Sequence, residues 1–311
     1  MTMFRPEGTL LYTEENQSCI SSTEALRQAM SSGRILEGRA VLCDSEHNLV
    51  VDLGGLRGLI PRAEGALGIR EGTARDIAII SRTGKPVCFQ VTDMPRDAAG
   101  ELHPLLSRRA VQQRCCGQYI AQLRPGQVIP ARVTHLEPFG CFADIGCGIV
   151  SLIPIDAISV SRISHPADRF HPGQDIFAVV RGTDEQGRVT LGHKELLGTW
   201  EENAARFRSG ETVAGIIRSA EPYGVFIELA PNLAGLAEPC PGAQPGQHAS
   251  VYIKSLIPEK MKVKLMIVDI FDPPDSRPAP LEYFVRQGVL KRWKYSPDCA
   301  GRSIETVFDP N

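Results

Sequence analysis

The sequence predicts an all-β protein of three tandem five-stranded barrels joined by short helices. Three observations carry this expectation. Residues 137–145, Glu-Pro-Phe-Gly-Cys-Phe-Ala-Asp-Ile, return 84 positions later as residues 221–229, Glu-Pro-Tyr-Gly-Val-Phe-Ile-Glu-Leu. The offset holds without a gap from Gly126/Gly210 to Leu152/Leu236. A more distant copy precedes both, with Val41 matching Val133 and Asp52 matching Asp144, and a one-residue insertion after Gly54 brings Pro61 opposite Pro154. Self-similarity at a fixed period means that one unit must be explained before the whole.

Within a unit, short β-runs alternate with glycine-rich turns. In the first these are 39–43, 48–53, 76–81 and 85–92. About five strands in roughly 65–75 residues suit a small Greek-key barrel of the oligonucleotide-binding (OB) type. The expected organisation is an N-terminal helical segment 1–32, units at 33–110, 125–195 and 209–272, and a tail 273–311. In the N-terminal segment, Ser22-Thr23-Glu24 opens a helix whose apolar face holds Ala25, Leu26, Ala29 and Met30, and Gly33 ends it. Ser107–Leu123 and Leu196–Phe207 read as helical connectors, the second with Thr199 as N-cap. Residues 273–280, rich in proline, read as a stiff linker. The tail mixes aromatics (Tyr283, Phe284, Trp293, Tyr295) with cations; it reads either as a hairpin packed on the third unit or as added binding surface.

Composition sets the outer limits. The 311 residues are 42% hydrophobic and 23% charged, with a formal charge of −2, as in an ordinary globular chain. That charge neither advertises nor excludes nucleic acid. No apolar run reaches the roughly 18 residues of a membrane span, and the N-terminus has no secretory pattern. Nine cysteines without a Cys-x-x-Cys pair read as reduced thiols, with a cytoplasmic location expected. Walker loops, paired metal-binding carboxylates and His-x-x-x-His are absent from the sequence, so no catalytic residue, metal or cofactor is expected.

Strand alternation locates a candidate surface. Phe139, Cys141, Ala143 and Ile145 fall on one face, with Gly140, Phe142, Asp144 and Gly146 on the other; Tyr223, Val225, Ile227 and Leu229 oppose Gly224, Phe226, Glu228 and Ala230. The first set reads as core. The second places Phe142 and Phe226 outside, each beside a carboxylate. Such a ring in this barrel class stacks a base of single-stranded nucleic acid, unless a connector helix covers it. Alternation alone sends Phe139 and Tyr223 inward; a bulge at Gly140 and Gly224 would bring them out.

At these residues the chain resembles the S-one RNA-binding domain, the repeat unit of the largest small-subunit ribosomal protein of bacteria. The resemblance covers the three units and rests on Phe-Gly-Cys-Phe142-Ala-Asp, Gly187-Arg188-Val-Thr-Leu-Gly-His-Lys194, Tyr-Gly-Val-Phe226-Ile-Glu, Pro-Gly-Gln at 127, 174 and 247 (residue 127 preceded by Pro125-Gly126), and the connector Lys-Glu-Leu-Leu-Gly-Thr-Trp200. It implies an RNA face of Phe139, Phe142 and Arg188 in unit two and Tyr223 and Phe226 in unit three, with Phe139 and Tyr223 outward. Lys260, Lys262 and Lys264 on the last strand of unit three would contact phosphate in place of the arginine; the bland alternative is a solvated strand edge. The family's histidine position holds Pro154 and Glu238, and unit one has Val50 where the ring belongs. The resemblance further implies single-stranded mRNA and the small ribosomal subunit as partners, with the arginine-bearing unit one serving to dock. A factor of RNA turnover or transcription, and a protein-interaction scaffold that binds no RNA, are the other readings.

Overall fold

The computed structural model describes residues 4–96, 98, 100–272 and 281–308; the proline-rich linker expected at 273–280 lies outside them. Three closed five-stranded barrels account for most of the chain. The first is built of β1 (Leu36–Cys43), β2 (Leu49–Asp52), β3 (Arg57–Ile60), β4 (Pro86–Asp93) and β5 (Leu105–Ser107). The second has β6 (Val128–Glu137), β7 (Gly140–Gly146), β8 (Ile149–Pro154), β9 (Asp175–Thr183) and β10 (Val189–Gly192). The third has β11 (Thr212–Glu221), β12 (Gly224–Ala230), β13 (Leu233–Ala237), β14 (His248–Ile257) and β15 (Lys262–Phe271). Each is an antiparallel three-strand meander closed by a parallel pairing, β3 with β5, β8 with β10 and β13 with β15. Closure leaves no free sheet edge in any of them.

By contact the chain divides into two compact units: residues 1–123 with 130–132 and 144–150, and residues 124–129, 133–143 and 151–311. The core of the first packs Leu36, Leu49, Val51, Ile60, Val87, Phe89 and Leu106. Ahead of its barrel come two helices, α1 (Glu14–Ile20) and α2 (Thr23–Ser31), the second N-capped by Ser22 as its sequence predicts. Residues 76–81, expected as strand, instead form a single helical turn, α3 (Ile77–Ile80). Five strands already close that barrel, so the β-branched run has no partner to pair with, and local β propensity loses to topology. Ile79 alone of its isoleucines is buried, while Ile77 and Ile80 are exposed.

The connectors form as expected. Ser107 caps α4 (Arg108–Gln118), and Thr199 caps α5 (Trp200–Ala204) in a reciprocal box with Glu202. In the second unit the tail folds as the expected hairpin, β16 (Arg292–Lys294) with β17 (Glu305–Val307). Trp293, Tyr295 and Phe308 enter the same core as Ile217, Ile227 and Val251 of the third barrel. The Tyr295 hydroxyl donates to the Asn232 carbonyl at 2.6 Å.

The alternation expected along β7 and β12 holds for most of the inward set, Leu229 being only half-buried, and fails for the carboxylates. Cys141, Ala143, Ile145, Val225 and Ile227 are buried. Asp144 and Glu228, expected in solvent beside the rings, are 3% and 5% exposed. Asp144 accepts from the backbone N–H groups of Glu7 (2.7 Å), Gly146 (2.8 Å) and Gly148 (3.0 Å). Glu7, itself buried, pairs with Arg108 at 2.6 Å. The irregular N-terminal residues thus cover a carboxylate that strand periodicity alone places outside.

Candidate nucleic-acid interface

The aromatic pairs are made by two matching hairpins. β6 and β7 are joined by Pro138-Phe139, and β11 and β12 by Pro222-Tyr223, with Glu221 paired to Gly224 across the second turn. Proline at the first turn position presets φ. Phe139 and Tyr223 therefore sit in the turns themselves, where strand alternation does not apply, and are 56% and 66% exposed. The inward placement that periodicity gives is wrong. The bulge expected at Gly224 is also not there: in the third barrel the register shifts on the facing strand, between Ile217 and Ser219. Gly140 and Gly224 matter for another reason. A Cβ at either would lie 2.5 Å from the backbone oxygen of Ile153 or Ala237.

Each turn ring meets the ring three residues on at nearly a right angle. Phe139 and Phe142 have centroids 5.9 Å apart at 88°, and Tyr223 and Phe226 6.1 Å apart at 85°. Such an edge-to-face pair is a favourable aromatic geometry and turns the two ring planes in different directions. Phe142 and Phe226 are half-buried.

Register identifies the neighbours of these rings. Ser219, Phe226, Leu236 and Lys264 are successive cross-strand partners on β11, β12, β13 and β15. Directly paired residues share a face, so they form one row on the barrel exterior. In the second barrel Leu152 pairs with Thr190 as Leu236 pairs with Lys264. Arg188 then stands where Lys262 stands, two residues earlier. Lys262 and Lys264 are exposed on β15, with no acidic partner among the described residues. Lys260 is not on that strand. It ends a one-turn 3-10 segment, Pro258–Lys260, that precedes it. Arg188 also lies just outside its strand, in the turn before β10, with its Nε donating to Asp184 at 2.7 Å. That bond spends part of its charge on a side chain.

The two ring sites differ in one respect that the repeated phrase conceals. His135 lies flat on Phe142, centroids 4.3 Å apart and planes within 9°. Ser219 is the ladder neighbour of Phe226 in the third barrel. One ring face is already stacked; its counterpart faces a groove. That groove has a volume of about 1110 Å³ and is lined by Tyr223, Phe226, Lys262 and Lys264 among others. Unit one carries no ring in this position. Its corresponding row is Leu42, Val50, Leu59 and Leu105.

Buried charge supports the groove from behind. Glu228 is held by Arg169 and by Arg218, whose Nε donates at 2.8 Å, and Arg218 also meets Asp168 at 3.1 Å. Burial lowers the pKa of Arg169, and Glu228 opposes that shift. His193, fully buried, donates from Nδ1 to the Ile158 carbonyl at 2.8 Å and accepts at Nε2 from the Tyr283 hydroxyl at 3.0 Å. Burial lowers its pKa to about 4, so it is a neutral structural group. Sequence reasoning missed this network because its partners are far apart in the chain.

Residues 122–194 match the family model of the S1 RNA binding domain. The chain is 30% identical to small ribosomal subunit protein bS1 of Leuconostoc lactis over 195 residues, covering 60% of this chain and 43% of that one. It is 27% identical to the bS1 of Rhizobium meliloti, covering 74% and 39% respectively, and 26% identical to that of Staphylococcus aureus strain COL, covering 84% and 68%. The chain thus spans about two fifths of the length of the first two. A multidomain protein with nucleic acid binding domains from Streptococcus pneumoniae aligns at 14% identity and a TM-score of 0.25, covering 79% of this chain and 75% of that one.

Proposed function

We propose that the chain is a non-catalytic RNA-binding protein that holds single-stranded message on its second and third barrels and associates with the small ribosomal subunit in the cytoplasm. The observation that carries this reading is the edge-to-face aromatic pair, repeated with the same geometry at the same turn of two barrels. Bases of any identity have a π-face, so exposed rings on a barrel of this kind suit single strands without strict sequence choice. The match of residues 122–194 to the S1 RNA binding domain and the similarity to bS1 relatives, small ribosomal subunit proteins by name, support it.

In this reading Phe139, Phe142, Tyr223 and Phe226 stack bases, and Arg188, Lys260, Lys262 and Lys264 meet phosphates. The first barrel, with aliphatic residues where the rings would be, takes no part in stacking and serves docking. The chain divides functionally at the boundaries its sequence suggests, with units 33–110, 125–195 and 209–272. Among the described residues no helix is long and apolar enough to cross a membrane.

A mobility shift of labelled single-stranded RNA, repeated across a salt series, tests the binding. Affinity is expected to fall linearly with salt on a log–log plot, as counterion release requires. Sedimentation with purified small ribosomal subunits tests the association. Binding to neither would point to the protein-interaction scaffold instead.

A further inference from the structure

The groove on the third barrel has two walls that the barrel itself does not supply. One is the loop 160–164 that follows β8, and the other is the tail between β16 and β17. Both are fixed to the third barrel by hydrogen bonds. On the first wall, the Val160 N–H donates to Asn232 Oδ1 at 3.0 Å and the Ser161 N–H to the Pro231 carbonyl at 3.2 Å. On the second, the Gly301 N–H donates to the Glu259 carbonyl at 3.2 Å, and the Tyr295 hydroxyl to the Asn232 carbonyl at 2.6 Å. The groove is therefore preformed, and a ligand does not have to order its walls.

Each wall brings an arginine to the groove. Arg162 and Arg302 line it, both exposed, and neither has an acidic partner among the described residues. With Lys262 and Lys264 they put four uncommitted cations around the Tyr223–Phe226 pair. The remaining cations are spent: Arg218 on Glu228 and Asp168, and Lys254 on Glu238 at 2.8 Å. Glu221, at the hairpin end, is the carboxylate that opposes them.

We propose that Arg162 and Arg302, carried on these two walls, are phosphate-binding residues that clamp the backbone of single-stranded RNA while its bases stack on Tyr223 and Phe226. This rests on the RNA-binding reading above. Charge selects the ligand: four unpaired cations around two rings fit a chain that alternates anionic phosphate with flat bases. The space suits on the order of four nucleotides, the short end of what one such barrel holds. The tail hairpin thereby belongs to the binding surface as well as to the core.

The test measures binding of the full chain to a fluorescent eight-nucleotide oligouridylate by anisotropy over a salt series. Arg162→Ala and Arg302→Ala each replace an exposed side chain, and a thermal melt checks that the fold is kept. The proposal expects weaker binding from each, with a log–log salt slope shallower by about 0.7 for each phosphate of the single strand that is no longer neutralised. Phe226→Ala, which removes a stacking ring, should weaken binding and leave the slope unchanged. Loss of affinity in Phe226→Ala with no change of affinity or slope in either arginine variant would overturn the clamp and leave the RNA reading standing. A wild-type chain that ignores the oligonucleotide, or that binds poly-glutamate with the same salt slope, would overturn both.

Discussion

Phe142 and Phe226 hold the same ladder position and differ in their neighbours, and at the scale of single residues that difference is what matters. An imidazole stacked flat on a ring occupies the surface a base would use. For a base to stack there, as proposed, His135 has to swing aside or itself carry the base, whereas Phe226 needs neither. The sequence states the difference plainly, His135 against Ser219 at the same offset, but its meaning requires knowing that these residues flank the ring. His193 is the opposite kind of residue, buried and neutral. Its folded-state pKa, about 4, lies below the 6.5 of a free imidazole. Between those values the unfolded chain binds more protons, so the stability this residue contributes is present above pH 6.5 and is lost as the pH falls toward 4. Burial raises the pKa of nearby Glu195 and works the other way, which makes a comparison necessary. Both tryptophans, Trp200 and Trp293, lie in the second compact unit and report on it. Urea melts followed by their fluorescence should lose stability between pH 6.5 and 4.5 in the native chain, by on the order of 3 kcal/mol at most from this residue. The loss should be smaller in His193→Gln. Equal losses in the two chains would remove His193 as a cause.

Among the elements, the hairpins of the second and third barrels decide the geometry of the candidate site. Their two-residue turns take Phe139 and Tyr223 out of the strand pattern, which is why periodicity places them wrongly while the rings at 142 and 226 fall where expected. Strand runs, connector helices with the Thr199 cap of the second, and the tail hairpin are all legible in the sequence, because each is set by local pattern and capping chemistry. The turn at Ile77–Ile80 is not, since what forbids a strand there is the closure of the barrel by other strands. Nor are the buried carboxylates legible. Glu228 looks like an outward strand residue until Arg169, 59 positions away, is brought to it. Removing that carboxylate leaves Arg169 buried without its counter-charge. Glu228→Gln should cost about 3–5 kcal/mol, read as a lowered urea midpoint of tryptophan fluorescence. A cost below about 1 kcal/mol, the range of an exposed pair, would mean that the cluster is solvated in practice.

For the molecule as a whole, one barrel has been used three times with different exteriors. The first carries an aliphatic row, the second a ring pair with one ring covered by histidine, and the third an open ring pair in a cationic groove. The interiors are alike, so the folding pattern repeats while the outer faces diverge. The claim on which the rest depends is that the rings at 142 and 226 bind bases and do not merely hold the barrels together. The double variant Phe142→Ala with Phe226→Ala separates these roles, because both side chains are half-buried and stand outside the barrel interiors. Its affinity for single-stranded RNA should fall by about 1–3 kcal/mol for each base left unstacked, with the thermal melting curve close to that of the native chain. Unchanged affinity, or a collapse of the melting temperature, would contradict the account.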